Sequence, residues 1–245
     1  MFRQPQTSVA ALGPATPQTI MGANLVGWWT ADRGVTDAGG GAVSSWVDRI
    51  GGYDLTQASA GARPTWSAAS FNGRPGVSFD GGDDHLGLES VPPTFPTGSA
   101  SSEVWVVCSQ DLSAATATNR CAFGYGTDGG PFRLLNRSTS SGTNRAFIHA
   151  QNSFPSNLNI DFSGRHYVRG IFVNGGINCH VDGLAGAVGT PTLATSTTRV
   201  RMGSNLANTP SGFFGGVIHE VFILDTQPSA GQITSLNEYC AAKIA

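Results

Sequence analysis

Carboxylates are the side chains of this sequence best suited to chemistry, and their spacing decides what they can do. Hydrolysis of a glycosidic bond asks for two of them on one face, about 5 Å apart where the second acts as nucleophile. The four glutamates are Glu89, Glu103, Glu220 and Glu238, and none has another acid two or four residues away, the short spacing that would place both side by side on one face of a strand. Glu220 and Asp225 stand five apart, which in a regular strand sends them to opposite faces. No G-x-S-x-G elbow, H-E-x-x-H or P-loop is present. Gly124-Tyr125-Gly126 opens like a nucleotide loop, but no strand–helix pattern follows it. Read in line, the chain has no catalytic residue to name and is expected not to be an enzyme.

Two other kinds of site are written more openly. Asp80-Gly81-Gly82-Asp83-Asp84-His85 is the densest acidic segment, and Asp80, Asp83 and Asp84 are hard oxygen donors suited to Ca²⁺. The same residues suit a solvated turn whose Asp side chains cap their own backbone. That is the preferred reading, so no cofactor is required. The five histidines are dispersed, which argues against zinc, and Cys108, Cys121, Cys179 and Cys240 form no C-x-x-C pair. For a glycan, an exposed aromatic beside amides is needed. The polar stretches Asn136 to Asn144 and His149 to Asn159 read as rim loops, where a rigid scaffold concentrates binding residues. The ligand-binding candidates are therefore Asn136, Asn144, His149 and Asn152, with Trp66 as the aromatic. Trp28 and Trp29 are adjacent, so within a strand only one of them faces the core.

The elements that must position these residues are short strands between turn clusters. Glu103-Val104-Trp105-Val106-Val107-Cys108 is β-branched and aromatic. Val217 to Leu224 is the most apolar strand, and apolarity on both faces predicts a central place in a sheet with Glu220 hydrogen-bonded to a loop. Turn signals recur at the spacing of a sandwich or barrel. Only the C-terminus reads as helix: Ile233, Leu236 and Tyr239-Cys240 form one stripe, Ser229 is the N-cap with Gln232 as its partner, and the helix is expected to close one end. The fold class is all-β, a two-sheet antiparallel jelly-roll β-sandwich with a short C-terminal helix. Residues 1–22, with Pro5, Pro14 and Pro17 among small polar residues, read as an extended N-terminal arm, and residues 23–245 as one jelly-roll domain.

Composition removes several function classes. A net charge of −2 with no basic stripe argues against nucleic acid. No stretch reaches the length of a membrane span, so no membrane insertion is expected. Residues 1–20 lack a secretory pattern, which predicts a protein kept in the cytoplasm or released with a virus particle assembled there.

Three groups of residues resemble the laminin-G-like branch of the concanavalin A-like lectin/glucanase superfamily. The first comprises Trp28-Trp29-Thr30-Ala31-Asp32, Trp46-Val47-Asp48-Arg49-Ile50-Gly51 and Arg74-Pro75-Gly76-Val77-Ser78-Phe79-Asp80-Gly81. The second comprises His166-Tyr167-Val168 and His180-Val181-Asp182-Gly183, and the third runs from Arg201-Met202-Gly203 to Phe214–Leu224. The resemblance implies a jelly roll with one concave face that many relatives use for glycans. It also implies a carboxylate motif, E-x-D-x-E, in those relatives that hydrolyse sugars, and this chain lacks it. The expected function is accordingly a non-enzymatic binding or structural module on a bacteriophage virion (capsid decoration, spike or tail), docked on other subunits through its arm and gripping cell-surface polysaccharide. The alternatives are a stand-alone carbohydrate-binding lectin or adhesin at a bacterial surface, and a glycoside hydrolase with an unfamiliar carboxylate arrangement.

Overall fold

The computed structural model of the protein describes residues 15–110, 120–128, 132–140, 143–150, 153–159 and 164–245. After a short helix α1 (Pro17–Met21) come strands β1 (Leu25–Thr30), β2 (Val35–Asp37), β3 (Val43–Trp46), β4 (Leu55–Thr56), β5 (Thr65–Phe71), β6 (Arg74–Asp80), β7 (Leu86–Leu88) and β8 (Ser102–Gln110). The second half holds β9 (Arg120–Gly126), β10 (Phe132–Ser140), β11 (Thr143–Ala150), β12 (Ser153–Asn159), β13 (Arg165–Phe172) and β14 (Ile177–Val181). It ends with β15 (Leu184–Gly189), β16 (Arg199–Met202), β17 (Gly215–Leu224) and helix α2 (Ala230–Ile244). The first sheet runs β15-β14-β13-β8-β17-β6-β5, with β1 also paired to β17. The second runs β12-β11-β10-β9-β16-β7-β4-β3-β2, and every strand-to-strand ladder is antiparallel. The all-β sandwich is thus the observed class.

Alternation along the strands divides their side chains between two cores. Trp29, Val104, Val106, Val221 and Ile223 enter the core between the sheets. Trp28, Trp105, Val107, Phe222 and Leu224 point the other way, into a second cluster with Leu236 and Cys240 of α2. The tryptophan pair therefore splits across the sheet, as neighbouring strand residues must. α2 lies over the outer face of the first sheet and not at an end of the sandwich, because an apolar outer face has to be covered. Its start is the anticipated capping box: Gln232 N donates to Ser229 Oγ and Ser229 N to Gln232 Oε1. Where α2 does not reach, the buried Glu103 carboxylate takes two guanidinium bonds from Arg169, at 2.8 and 2.6 Å, and one from the Trp105 indole. All four cysteines are free and buried.

Two expectations about loops change. Within residues 1–22, Pro17–Met21 is helical and not extended. Thr16 and Thr19 cap its start reciprocally, Pro17 stands in the first turn, and Met21 packs in the cluster beneath α2; residues 1–14 lie outside the described residues. Of the stretches 136–144 and 149–159, residues 136–140, 143–144, 149–150 and 153–159 belong to the antiparallel ladder β10–β11–β12 and are not rim loops. These segments are rich in Asn and Ser, a composition that reads as turn or loop even where cross-strand pairing makes it strand.

The tryptophan-aspartate-glycine motif near Asp48 has a mechanical explanation. The Asp48 carboxylate is buried and accepts from three amides at short range, Trp28 at 2.9 Å, Ile50 at 3.0 Å and Gly51 at 2.9 Å, and from that of Tyr53 at 3.5 Å. It therefore closes its own turn and holds that turn against β1. At position 51 a Cβ would come within 2.4 Å of the Tyr53 ring, so only glycine fits. Asp182 and Gly183, both at positive φ, likewise make the two-residue hairpin between β14 and β15. Asp48→Ala leaves several amides without their acceptor and is expected to cost about 2–4 kcal/mol in urea unfolding. Asp48→Asn, which keeps one carbonyl oxygen, should recover part of it.

Candidate functional site

The site begins with an irregularity in β17. Ile218 pairs with Cys108 of β8 and Glu220 with Val107, so His219 is an extra residue inserted as a β-bulge. The bulge breaks the alternation. Ile218 and Val221 both belong to the inter-sheet core, while His219 and Glu220 both turn toward α2. His219 stacks on Phe71 with ring centroids 5.2 Å apart and donates from Nδ1 to the Pro75 carbonyl. A regular strand would have put these two ionisable groups on opposite faces.

Glu220 is fully buried, with 0 % exposure. Its carboxyl accepts from the Trp28 indole of β1 and, at 2.7 and 2.9 Å, from the Tyr239 hydroxyl of α2. The partners are thus a strand and a helix, not the loop expected. Lys243, one turn beyond Tyr239, places Nζ 3.8 Å from Glu220 and 3.1 Å from Asp32 Oδ2. His219 Nε2 lies 3.7 Å from the same Asp32 oxygen, which also accepts from Thr30. One ammonium therefore bridges two carboxyl groups contributed by opposite ends of the sequence.

Their environments push the two acids apart. Burial raises the Glu220 carboxyl above the usual glutamate range, against the opposing pull of Lys243, Tyr239 and Trp28. Asp32 feels a smaller burial, and Lys243, with His219 and Thr30 assisting, outweighs it and holds that carboxyl below the usual aspartate range. Burial lowers His219, and burial together with Glu220 raises the Tyr239 phenol. A low carboxylate and a high carboxyl at one site are the pattern from which acid and base roles are assigned.

These groups stand at a cavity of about 760 Å³ between the end of β1 and α2, whose wall includes Trp28, Asp32, Arg49, Arg74, Tyr239 and Lys243. Asp32 keeps 36 % of its side chain exposed. Glu220 stands behind Tyr239 and Trp28 and acts on the cavity through them.

The residues singled out from the sequence lie elsewhere. Asp80, Asp83 and Asp84 do converge, with ligand atoms within 4.8 Å of one another. Asp80 Oδ1 accepts from the amides of Gly82, Asp83 and Asp84, and Asp84 Oδ2 from that of Asp80. The loop therefore has the self-capped form, and burial lifts the Asp84 carboxyl to about 6. Trp66 is half-buried on β5, with its indole donating to the Ala31 carbonyl. Asn136 lies on β10 and Asn144 and His149 on β11; Asn152 lies outside the described residues. The sequence reading missed Asp32, His219, Tyr239 and Lys243. A single lysine in the whole chain, on the apolar helix that closes the fold, was the signal available.

No family model matches the chain, and no curated protein matches it. Solved structures do. An arabinofuranosidase complexed with arabinofuranosyl-α-1,2-xylobiose superposes with a TM-score of 0.62 at 17% identity, covering 83% of this chain and 51% of that one. Domain 4 of an extracellular GH43 arabinanase from Geobacillus stearothermophilus, in complex with arabinotriose, gives 0.54 at 16% identity, covering 87% and 98%. Trypanosoma rangeli sialidase in complex with 2,3-difluorosialic acid gives 0.62 at 16% identity, covering 89% and 33%. The chain spans about half the length of the arabinofuranosidase and a third of the sialidase; at these identities the likeness is one of fold.

These matches correct three expectations. The neighbours are glycosidases and an arabinanase domain, not the laminin-G-like, concanavalin A-like lectins that the motifs resembled. The motifs themselves are turn and cap devices, such as Asp48 and Asp182-Gly183, which report strand connections and not a family. The non-enzymatic virion module is set aside on the same ground, since the neighbours named are an arabinofuranosidase, an arabinanase domain and a sialidase and not virion proteins. The expectation that the chain is not an enzyme is set aside with it: that reading rested on the lack of an in-line carboxylate motif, whereas the neighbours include glycoside hydrolases and the carboxyl groups that meet here are far apart in sequence.

A raised carboxyl gives a signed pH effect. The unfolded chain releases the Glu220 proton first, so stability falls as pH rises from the ordinary glutamate value to the raised folded one. Glu220→Gln cannot titrate and keeps an amide oxygen for Tyr239. Its unfolding free energy, followed in urea across that interval, is expected to decline less steeply with pH than that of the unaltered protein.

Proposed function

We propose that the protein is a carbohydrate-active β-sandwich of glycoside-hydrolase type that takes a glycan at the cavity between β1 and α2. The observation that carries this reading is the opposed displacement of Asp32 and Glu220 across the Lys243 ammonium on the cavity wall. Two further facts support it: the cavity is large enough for sugar units, and the proteins of like fold act on or hold glycans, one of them matched over nearly the whole of an arabinanase domain.

The chemistry assigned is hydrolysis. Asp32, ionised and partly exposed, takes a proton from water as the water oxygen adds to the anomeric carbon. The glycosidic C–O bond breaks as the leaving oxygen gains a proton whose source is the protonated Glu220 carboxyl. The Tyr239 hydroxyl turns to the leaving oxygen and relays it, taking the Glu220 proton as it gives up its own. The step ends with Glu220 ionised and Asp32 protonated. Lys243 holds Asp32 in place.

Arabinotriose, arabinan and aryl arabinofuranosides are the first compounds to test, by calorimetry for binding and by released reducing ends or nitrophenol for cleavage. Asp32→Asn is expected to lower kcat/KM at least 100-fold, the range lost with a general base, while its circular dichroism stays unchanged. A panel in which no sugar binds, or turnover indifferent to Asp32→Asn, would remove this function.

A further inference from the structure

The charges on the cavity wall are unevenly distributed. The wall holds Arg33, Arg49, Arg74 and Lys243 together with Asp32 and Glu238, four cations to two carboxylates. Lys243 is engaged by Asp32 and Glu220, which leaves three guanidinium groups to account for. Arg49 is exposed and lies over the Trp28 ring, its Cζ 4.6 Å from the ring centroid, and no hydrogen bond from its side chain is found among the described residues. Arg74 gives one nitrogen to the Ala242 carbonyl at 3.1 Å, which fixes it against the end of α2. Arg33 is exposed at the rim, and no hydrogen bond from its side chain is found among the described residues. In a chain where only 14 of 245 residues are basic, four at one cavity form a local concentration of positive charge.

Building on the carbohydrate reading above, we propose that the sugar taken at this cavity carries a carboxylate. A guanidinium fork matches a carboxylate with two parallel N–H···O bonds, and that geometry discriminates a charged sugar from its neutral counterpart more sharply than a hydroxyl contact does. Arg49 is the arm placed best for this, an exposed guanidinium resting on Trp28 at the cavity wall. Arg33 and Arg74 flank it. Asp32 does not oppose an anion strongly, since its own charge is balanced by Lys243 at 3.1 Å. Uronates and sialic acids both carry this chemistry, and the test separates them.

The full chain is titrated calorimetrically with oligogalacturonate, sialyllactose, the methyl ester of each, and arabinotriose as the neutral reference. One acid is expected to bind at least tenfold tighter than its own ester, with affinity falling as salt is added. Arg49→Gln and Arg33→Gln, both at exposed positions, should each erase most of that preference while melting and circular dichroism remain as in the parent. Equal affinity for acid and ester, or a preference that survives in the Arg33→Gln/Arg49→Gln/Arg74→Gln variant, overturns the carboxylate proposal. Binding of arabinotriose alone overturns it while leaving the carbohydrate function intact; binding of no sugar at all removes both.

Discussion

A single carboxyl group without solvent contact holds the candidate site together. Glu220 receives the Trp28 indole from β1 and the Tyr239 hydroxyl from α2, and stands 3.8 Å from Lys243. A buried carboxyl is costly unless its oxygens are hydrogen-bonded, so these partners cannot drift without a penalty. The strand, the helix and the lysine that reaches Asp32 are thereby set relative to one another. The bulge at His219 is the backbone device that makes this possible, because it turns Glu220 and its neighbour to the same side of the sheet.

Packing explains why a cavity exists there. The first sheet is apolar on both faces: one face meets the second sheet, and the other needs a cover of its own. A helix lying on a sheet covers it along one line and leaves room beside that line. Leu236 and Cys240 fill the contact, while Tyr239 and Lys243, on the adjoining side of α2, reach the space next to it. The helix that completes the hydrophobic burial thus also supplies two polar groups of the site.

Fold and site carry different information. Sharing a sandwich with an arabinofuranosidase, an arabinanase domain and a sialidase at 16–17% identity defines an architecture, and one architecture hosts many functions. The functional argument rests on side chains: a low carboxylate, a raised carboxyl, a bridging ammonium and a group of arginines at one cavity. The motifs that suggested a lectin family proved to be structural, since Asp48 captures several backbone amides and Asp182-Gly183 makes a hairpin.

The sequence alone determined what depends on near neighbours. Runs of β-branched and aromatic residues in Glu103–Cys108 and of apolar residues in Val217–Leu224 marked strands, Asp182-Gly183 marked a hairpin, and Ser229 with Gln232 marked the start of α2, because each is a property of near neighbours. It misled where polar residues diluted a strand pattern, as in β10 to β12. The site was decided only by tertiary structure. Trp28 meets Glu220 across 192 positions and Asp32 meets Lys243 across 211. The bulge that reorients His219 has no local signature strong enough to announce it. Such contacts follow from how sheet and helix pack, and packing is a property of the whole chain that no short window of residues contains.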